Sequence, residues 1–224
     1  MEEGLALLQK ADHQARAPGP PLRKYIEAIE LFNGAYGLVG VRDRRELVVK
    51  HILDSLAPLG ILRRLLEAPR PAASPPPAVA DVGSGAGLPG IPLALALPEY
   101  PFTLIEKMGR RVSFLRYALA VLGCPNAEVE AGPMEKAPRG RFRLITFRAF
   151  RPLDPALLKA LFPLLEPAGV LAAYKGRRAV IDGELRSLAA FPCSWEIFPL
   201  TVPFLDEERH LVVIRPAPLP PEGA

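Results

Sequence analysis

Cysteine is almost missing from this chain of 224 residues, which holds only Cys124 and Cys193. Two thiols so far apart build neither a zinc site nor a disulfide framework, so packing is their expected role, and a reducing compartment suits them. Long apolar runs are missing too, none approaching the roughly 18 residues that a membrane helix requires. Met1-Glu2-Glu3 opens no basic-then-apolar leader, so a soluble, cytoplasmic chain is expected. Neither sign of charge dominates: 28 Lys and Arg stand against 24 Asp and Glu, for a net charge of +4. That balance is compatible with a polyanionic partner without demanding one. No Cys-centred or Ser-His-Asp grouping marks a nucleophile, no metal-ligand set is expected, and no internal repeat is visible.

Apolar residues, by contrast, make up 50% of the chain, enough for the core of one ordinary domain with an appendage. The 27 prolines gather around Pro69 to Pro77, at helix starts such as Pro89 and Pro155, and in the tail from Pro216. Helical spacing of apolar residues dominates the first part of the chain. Leu5, Leu7 and Leu8 open a short pattern; Leu22, Tyr25, Ile26, Ile29 and Phe32 form a second. A third helix is expected from Glu46 through Leu59 and a short fourth around Leu62, Leu65 and Leu66. Residues 1–68 therefore read as a helical subdomain, 69–77 as a stiff Pro-rich linker, 78–215 as the main domain and 216–224 as a Pro-rich tail.

Within the main domain short apolar runs alternate with helical patterns. Strands are expected at Ala78 to Val82, Phe102 to Ile105, Ala127 to Glu130, Leu144 to Phe147, Val170 to Tyr174, Trp195 to Phe198 and His210 to Ile214. Helices are expected near Pro89 to Leu97, Arg110 to Leu122, Pro155 to Leu165 and Val180 to Ala190. Alternation of this kind predicts an open α/β sheet of seven strands, mostly parallel, with an antiparallel closing pair because no helix separates the last two.

The richest motif is Asp81-Val82-Gly83-Ser84-Gly85-Ala86-Gly87-Leu88-Pro89-Gly90, where an apolar strand ends in an acid and turns through glycines into a helix. Such a turn lets main chain approach a nucleotide closely. Gly85, Gly87 and Gly90 fit the G-x-G-x-x-G spacing of a dinucleotide fold, with Glu106 as its ribose acceptor. The pattern apolar-Asp-apolar-Gly-x-Gly-x-Gly fits better, and resembles the first motif of S-adenosylmethionine-dependent methyltransferases. In that reading Asp81 lies close to the sulfonium, Gly83, Ser84, Gly85 and Gly87 form the cofactor turn, and Glu106 accepts from both ribose hydroxyls.

Further segments extend the likeness. Val41-Arg42-Asp43 followed by Lys50-His51-Ile52-Leu53-Asp54-Ser55, the stretch Asp81 to Leu93, Gly109-Arg110-Arg111-Val112, Arg148-Ala149-Phe150, Lys175-Gly176 and Glu208 to Ile214 occur in an order and spacing that resemble the bacterial 16S rRNA guanine-N7 methyltransferase G family, also called the glucose-inhibited division protein B family. The resemblance implies a seven-stranded, Rossmann-like methyltransferase fold. It also implies S-adenosylmethionine as cofactor, and 16S rRNA or the small ribosomal subunit as partner. It implies, too, that Gly83 and Leu88 contact the cofactor, that Met134 and Glu135 flank its adenine and that Arg148 is an active-site arginine. One departure stands out. The family usually carries Asn-Leu-Thr where this chain has Gly37-Leu38-Val39, so an amide and a hydroxyl are missing, and a non-catalytic RNA-binding homologue that keeps the cofactor fold is the alternative.

The reaction so implied needs no general base, since guanine N7 offers an in-plane lone pair and no proton. Cytosine C5 chemistry would need a cysteine nucleophile, and methylation of exocyclic amines commonly shows Asn/Asp-Pro-Pro-aromatic after the fourth strand; here Thr146-Phe147-Arg148-Ala149-Phe150-Arg151-Pro152 stands instead. Arg148 follows that strand at the edge where open α/β sheets bind ligands, and either reaches a ligand or tethers its loop in a salt bridge. Lys175 and Arg209, at the ends of neighbouring strands, either meet rRNA phosphates or are simply exposed. His51 shares a helix face with Asp54 and either contacts the substrate base or is structural. A monomer is expected.

Overall fold

The computed structural model describes residues 1–11, 18–69 and 76–217, so most of the linker expected at 69–77 and of the tail expected at 216–224 lies outside the described residues. The seven strands are β1 (Ala78–Val82), β2 (Phe102–Glu106), β3 (Ala127–Ala131), β4 (Phe142–Arg148), β5 (Leu165–Lys175), β6 (Cys193–Leu200) and β7 (Arg209–Pro216). They form one sheet in the order β3-β2-β1-β4-β5-β7-β6. β7 runs antiparallel to both β5 and β6, and the remaining pairs are parallel. The expected antiparallel closing pair is thus present, inserted between β5 and the edge. β1 and β2 are buried along their whole length, as strands covered by helices on both faces must be, and their sequences are accordingly almost continuous in apolar residues.

Helices α1 (Glu2–Ala11), α2 (Gly19–Tyr36), α3 (Arg44–Leu47), α4 (Asp54–Leu56) and α5 (Leu59–Glu67) precede the sheet; α6 (Gly90–Ala96), α7 (Gly109–Leu122), α8 (Pro155–Leu161) and α9 (Arg178–Arg186) connect its strands. The helix expected from Glu46 to Leu59 is instead a composite. Asp43 caps α3 by accepting from the Glu46 N–H at 2.8 Å, and Glu46 reaches back to the Arg42 N–H at 2.8 Å. Val48–Leu53 then widens into a π-helical segment before α4, and the run stops short of Pro58. β5 also begins earlier than its apolar core suggests. Leu165 pairs with Phe142, and the register shifts before Leu144 meets Val170, so Glu166-Pro167-Ala168-Gly169, between the expected helix and strand, is a bulge within the strand.

Gly37 ends α2 in the left-handed conformation, φ 59 and ψ 50, with its N–H on the Asn33 carbonyl. Gly and Asn are the residues that adopt this cap most readily, so the backbone demand at position 37 is one that either residue can meet. Val39 is held through its main chain: its N–H donates to Asn33 Oδ1 at 2.9 Å, and its carbonyl accepts from Asn33 Nδ2 at 3.0 Å. No hydroxyl at residue 39 is needed for that bracket.

Two apolar clusters cover the sheet. One contains α2, the α3–α5 run, α6 and α7 packed on β1, β2 and part of β4, β5 and β7; the other lies on the opposite face beneath α8 and α9. Two buried tyrosines tie the N-terminal helices to this frame. Tyr25 of α2 donates to the Ala86 carbonyl at 2.5 Å, and Tyr174 of β5 donates to the Ser55 carbonyl at 2.8 Å.

Candidate active site

β1 delivers its acid into the turn that follows. Asp81 is 1% exposed, and its Oδ2 accepts from the Ser84 hydroxyl at 2.6 Å and from the Gly90 N–H at 3.1 Å, while Oδ1 lies 3.2 Å from the Thr146 hydroxyl of β4. Burial pushes its carboxyl up to about 6 against the lowering effect of the Ser84, Gly90 and Thr146 hydrogen bonds and of the nearby Arg148 charge. Asp81 therefore braces the loop from inside. Close packing explains Gly90, where a Cβ would stand 2.4 Å from Leu104 Cδ2 and 2.7 Å from Asp81 Oδ2. Gly83 is constrained twice, by φ +67 and by the Phe150 ring, whose Cδ2 would lie 2.2 Å from a Cβ there.

Glu106, at the end of β2, is 4% exposed and carries the loop from the other side. Its Oε2 accepts from the Gly85 N–H at 2.9 Å and its Oε1 from the Met108 N–H at 2.8 Å, with Arg111 Nη1 at 3.9 Å. A carboxylate offers about four lone-pair sites, so two remain for vicinal hydroxyls. Beside it opens a crevice of about 430 Å³ lined by Gly83, Glu106, Met108, Met134, Glu135 and Phe150, among others. This volume lies in the range of nucleoside-sized sites. A larger cavity of about 820 Å³, between the N-terminal helices and Phe204, lies apart from this chemistry.

Arg148 stands at the other side of the loop. The β1–β4 register pairs Asp81 with Thr146, so Arg148 is level with Gly83. Its guanidinium is caged by one turn of the π-helical segment and α4: Nη1 donates to Asp54 Oδ2 at 2.7 Å and to the Lys50 carbonyl at 3.3 Å, and Nη2 lies 3.0 Å from His51 Nδ1. Burial, followed by the Arg148 charge, drives the His51 imidazole down to about 4, so at neutral pH it is uncharged and Nδ1 is the acceptor. Arg209 of β7 donates from Nε to the free oxygen of the same acid, Asp54 Oδ1, at 3.1 Å, and pairs with Glu207 at 3.0 Å.

Arg148, His51 and Arg209 are thus brought together, and the salt bridge foreseen for Arg148 exists. Lys175 is not part of the group; its Nζ pairs with Glu184 of α9 at 2.6 Å. Gly83, Glu106, Met134 and Glu135 line the crevice, Ser84 and Asp81 brace its loop, and Leu88 is buried in the core cluster behind it. Sequence reasoning passed over Asp54 as a site residue. An acid inside the apolar run Ile52-Leu53-Asp54-Ser55-Leu56 was the available signal, since a 3% exposed carboxylate requires cationic partners. Among the described residues no helix is long and apolar enough to cross a membrane, and no group of three or more His, Cys, Asp or Glu is placed to hold a metal.

Known proteins agree with this arrangement. The family described as rRNA small subunit methyltransferase G matches residues 20–212. A ribosomal RNA small subunit methyltransferase G from Treponema pallidum is 40% identical over 99% of this chain and 96% of its own length, and one from Stenotrophomonas maltophilia is 38% identical over 96% and 92%. In fold the chain is similar to a solved SAM-dependent methyltransferase from Aquifex aeolicus, with a TM-score of 0.55 and 17% identity over 77% of this chain and 93% of that one. The glycine loop, the acid at the end of β2, the inserted antiparallel β7 and a family match along nearly the whole length agree, and the chain belongs to the rRNA small subunit methyltransferase G family.

Proposed function

We propose that this enzyme transfers a methyl group from S-adenosylmethionine to N7 of a guanine in small-subunit rRNA. The observation that carries the cofactor half is Glu106, a buried carboxylate pinned by the Gly85 and Met108 N–H groups with acceptor capacity left over toward a nucleoside-sized crevice. Bound there, S-adenosylmethionine supplies an electrophilic methyl on a cationic sulfur. Glu106 would hold the ribose, Met134 and Glu135 would flank the adenine, and Gly83 to Gly87 would form the wall at the methionine end, with Leu88 packed behind it.

The acceptor needs no proton removed, so the protein's task is alignment, worth up to about 7–11 kcal/mol in well-oriented systems. Arg148, fixed by three acceptors, would orient the purine, with Arg209 and His51 beside it, whereas Lys175 is held away from them by Glu184. The site contains no cysteine: Cys124 is buried between α7 and β3, and Cys193 starts β6. That suits a nitrogen nucleophile. Position 37 is a helix cap and position 39 is held by its main chain, so neither favours a non-catalytic reading. We also place the protein in the cytoplasm as a monomer, with residues 1–68 as a helical unit that closes over the cofactor loop.

Incubation with methyl-labelled cofactor and small-subunit rRNA lacking the modification tests the reading. Label at N7 of a guanine is expected; label on another atom, or none, refutes it.

A further inference from the structure

We infer that Asp54 is a positioning residue, the counter-ion that lets Arg148 stand beside the cofactor loop without repelling a cationic methyl donor. The inference rests on the donor reading above. Asp54 is 3% exposed and belongs to the N-terminal helices, yet each of its oxygens holds a different arginine from the sheet, Arg148 at 2.7 Å and Arg209 at 3.1 Å. The two side chains are 14% and 19% exposed, so water does little to screen them. The other charges around them lie further out. Glu207 bridges Arg209 at 3.0 Å and Lys50 at 2.9 Å, and Glu46 holds Lys50 at 3.1 Å. His51 adds no charge, because its Nδ1 faces the Arg148 donor.

The consequence is electrostatic as well as geometric. Arg148 lies level with Gly83, and its charge is felt at Asp81, so it stands beside the turn to which the sulfonium is assigned. A bare guanidinium in so dry a place would oppose a second cation; paired with Asp54 it retains its direction and loses most of its field. The same pairing fixes where the planar fork points, since Asp54, His51 and the Lys50 carbonyl all hold the guanidinium.

A charge role and a merely structural one separate in the affinities for S-adenosylmethionine, a cation, and S-adenosylhomocysteine, its uncharged thioether counterpart. Calorimetry on the full chain gives the ratio of the two dissociation constants. Asp54→Asn is expected to weaken the cation relative to the thioether on the order of tenfold. Asp54→Glu should restore part of the ratio. Arg209→Gln should move it the opposite way, toward the cation, because Asp54 then answers to one arginine alone. An unchanged ratio in Asp54→Asn overturns the inference. Should that variant fail to fold, an unchanged ratio in Arg209→Gln does the same. If the wild-type chain binds neither ligand, the donor reading itself falls and takes this inference with it.

Discussion

Two buried groups at the site titrate in opposite senses, and stability should record both. His51 is held down to about 4 from its ordinary 6.5 by burial and the charges of Arg148, Arg209 and Lys50, with Glu46 opposing. The unfolded chain takes up that proton first, so the contribution of His51 is complete above pH 6.5 and is lost as pH falls toward 4. Asp81 is raised from 3.8 to about 6, so its contribution is complete below pH 3.8 and is lost as pH rises through 6. In the native protein the two slopes partly cancel between pH 4 and 6. Urea unfolding across pH 4 to 7 should show His51→Gln losing less stability on acidification than wild type, and Asp81→Asn losing more. Glu106 carries a second prediction at this scale. Glu106→Gln replaces one acceptor oxygen by a donor facing a main-chain N–H, and should weaken S-adenosylhomocysteine binding about tenfold or more by calorimetry. Asp81 and Glu106 were legible because each closes an apolar strand beside glycines. Asp54 was not, because the arginines that explain it lie far along the chain, and only the fold brings them to it.

β1 and β2 were legible nearly to the residue, since parallel strands buried on both faces must be written as apolar runs, whereas β5 begins five residues before the expected Val170. The composite helix of α3, the π-helical segment and α4 was not. Apolar spacing reports which face is buried and cannot register a turn widened by one residue, yet that widening puts the Lys50 carbonyl, His51 and Asp54 around one guanidinium. The glycines from Gly83 to Gly90 read as one turn, whereas their constraints differ. Gly90 exists for helix-on-strand packing, and Gly90→Ala should lower stability by about 1–3 kcal/mol in denaturant unfolding, through overpacking against Leu104 and Asp81. Gly37 is a cap. Gly37→Asn should leave stability within about 0.5 kcal/mol of wild type, whereas Gly37→Ala should cost about 1–2 kcal/mol, the penalty of a left-handed alanine.

At the scale of the whole molecule the N-terminal helices and the cofactor loop share one apolar cluster, which runs from Leu5 and Tyr25 through Ala86, Leu88 and Ile91 to Leu211. Sequence periodicity placed the helices but gave no sign of what they cover, because an apolar stripe does not name its partner. The hydroxyl of Tyr25 does: it is fully buried and meets the Ala86 carbonyl inside the glycine loop, and burial holds its phenol well above the usual range and so protonated as a donor. Tyr25→Phe keeps the ring and strands that carbonyl, at a cost of about 1–3 kcal/mol. For a domain of this size each kcal/mol lowers the melting temperature by roughly 2–4 °C. Because the stranded group belongs to the loop rather than to the helix alone, the variant should also bind S-adenosylhomocysteine more weakly, and saturating ligand should return part of the lost melting temperature in a single transition. A fall in melting temperature with ligand affinity unchanged would mean that the helices only cover the sheet, and that the loop holds its shape without them.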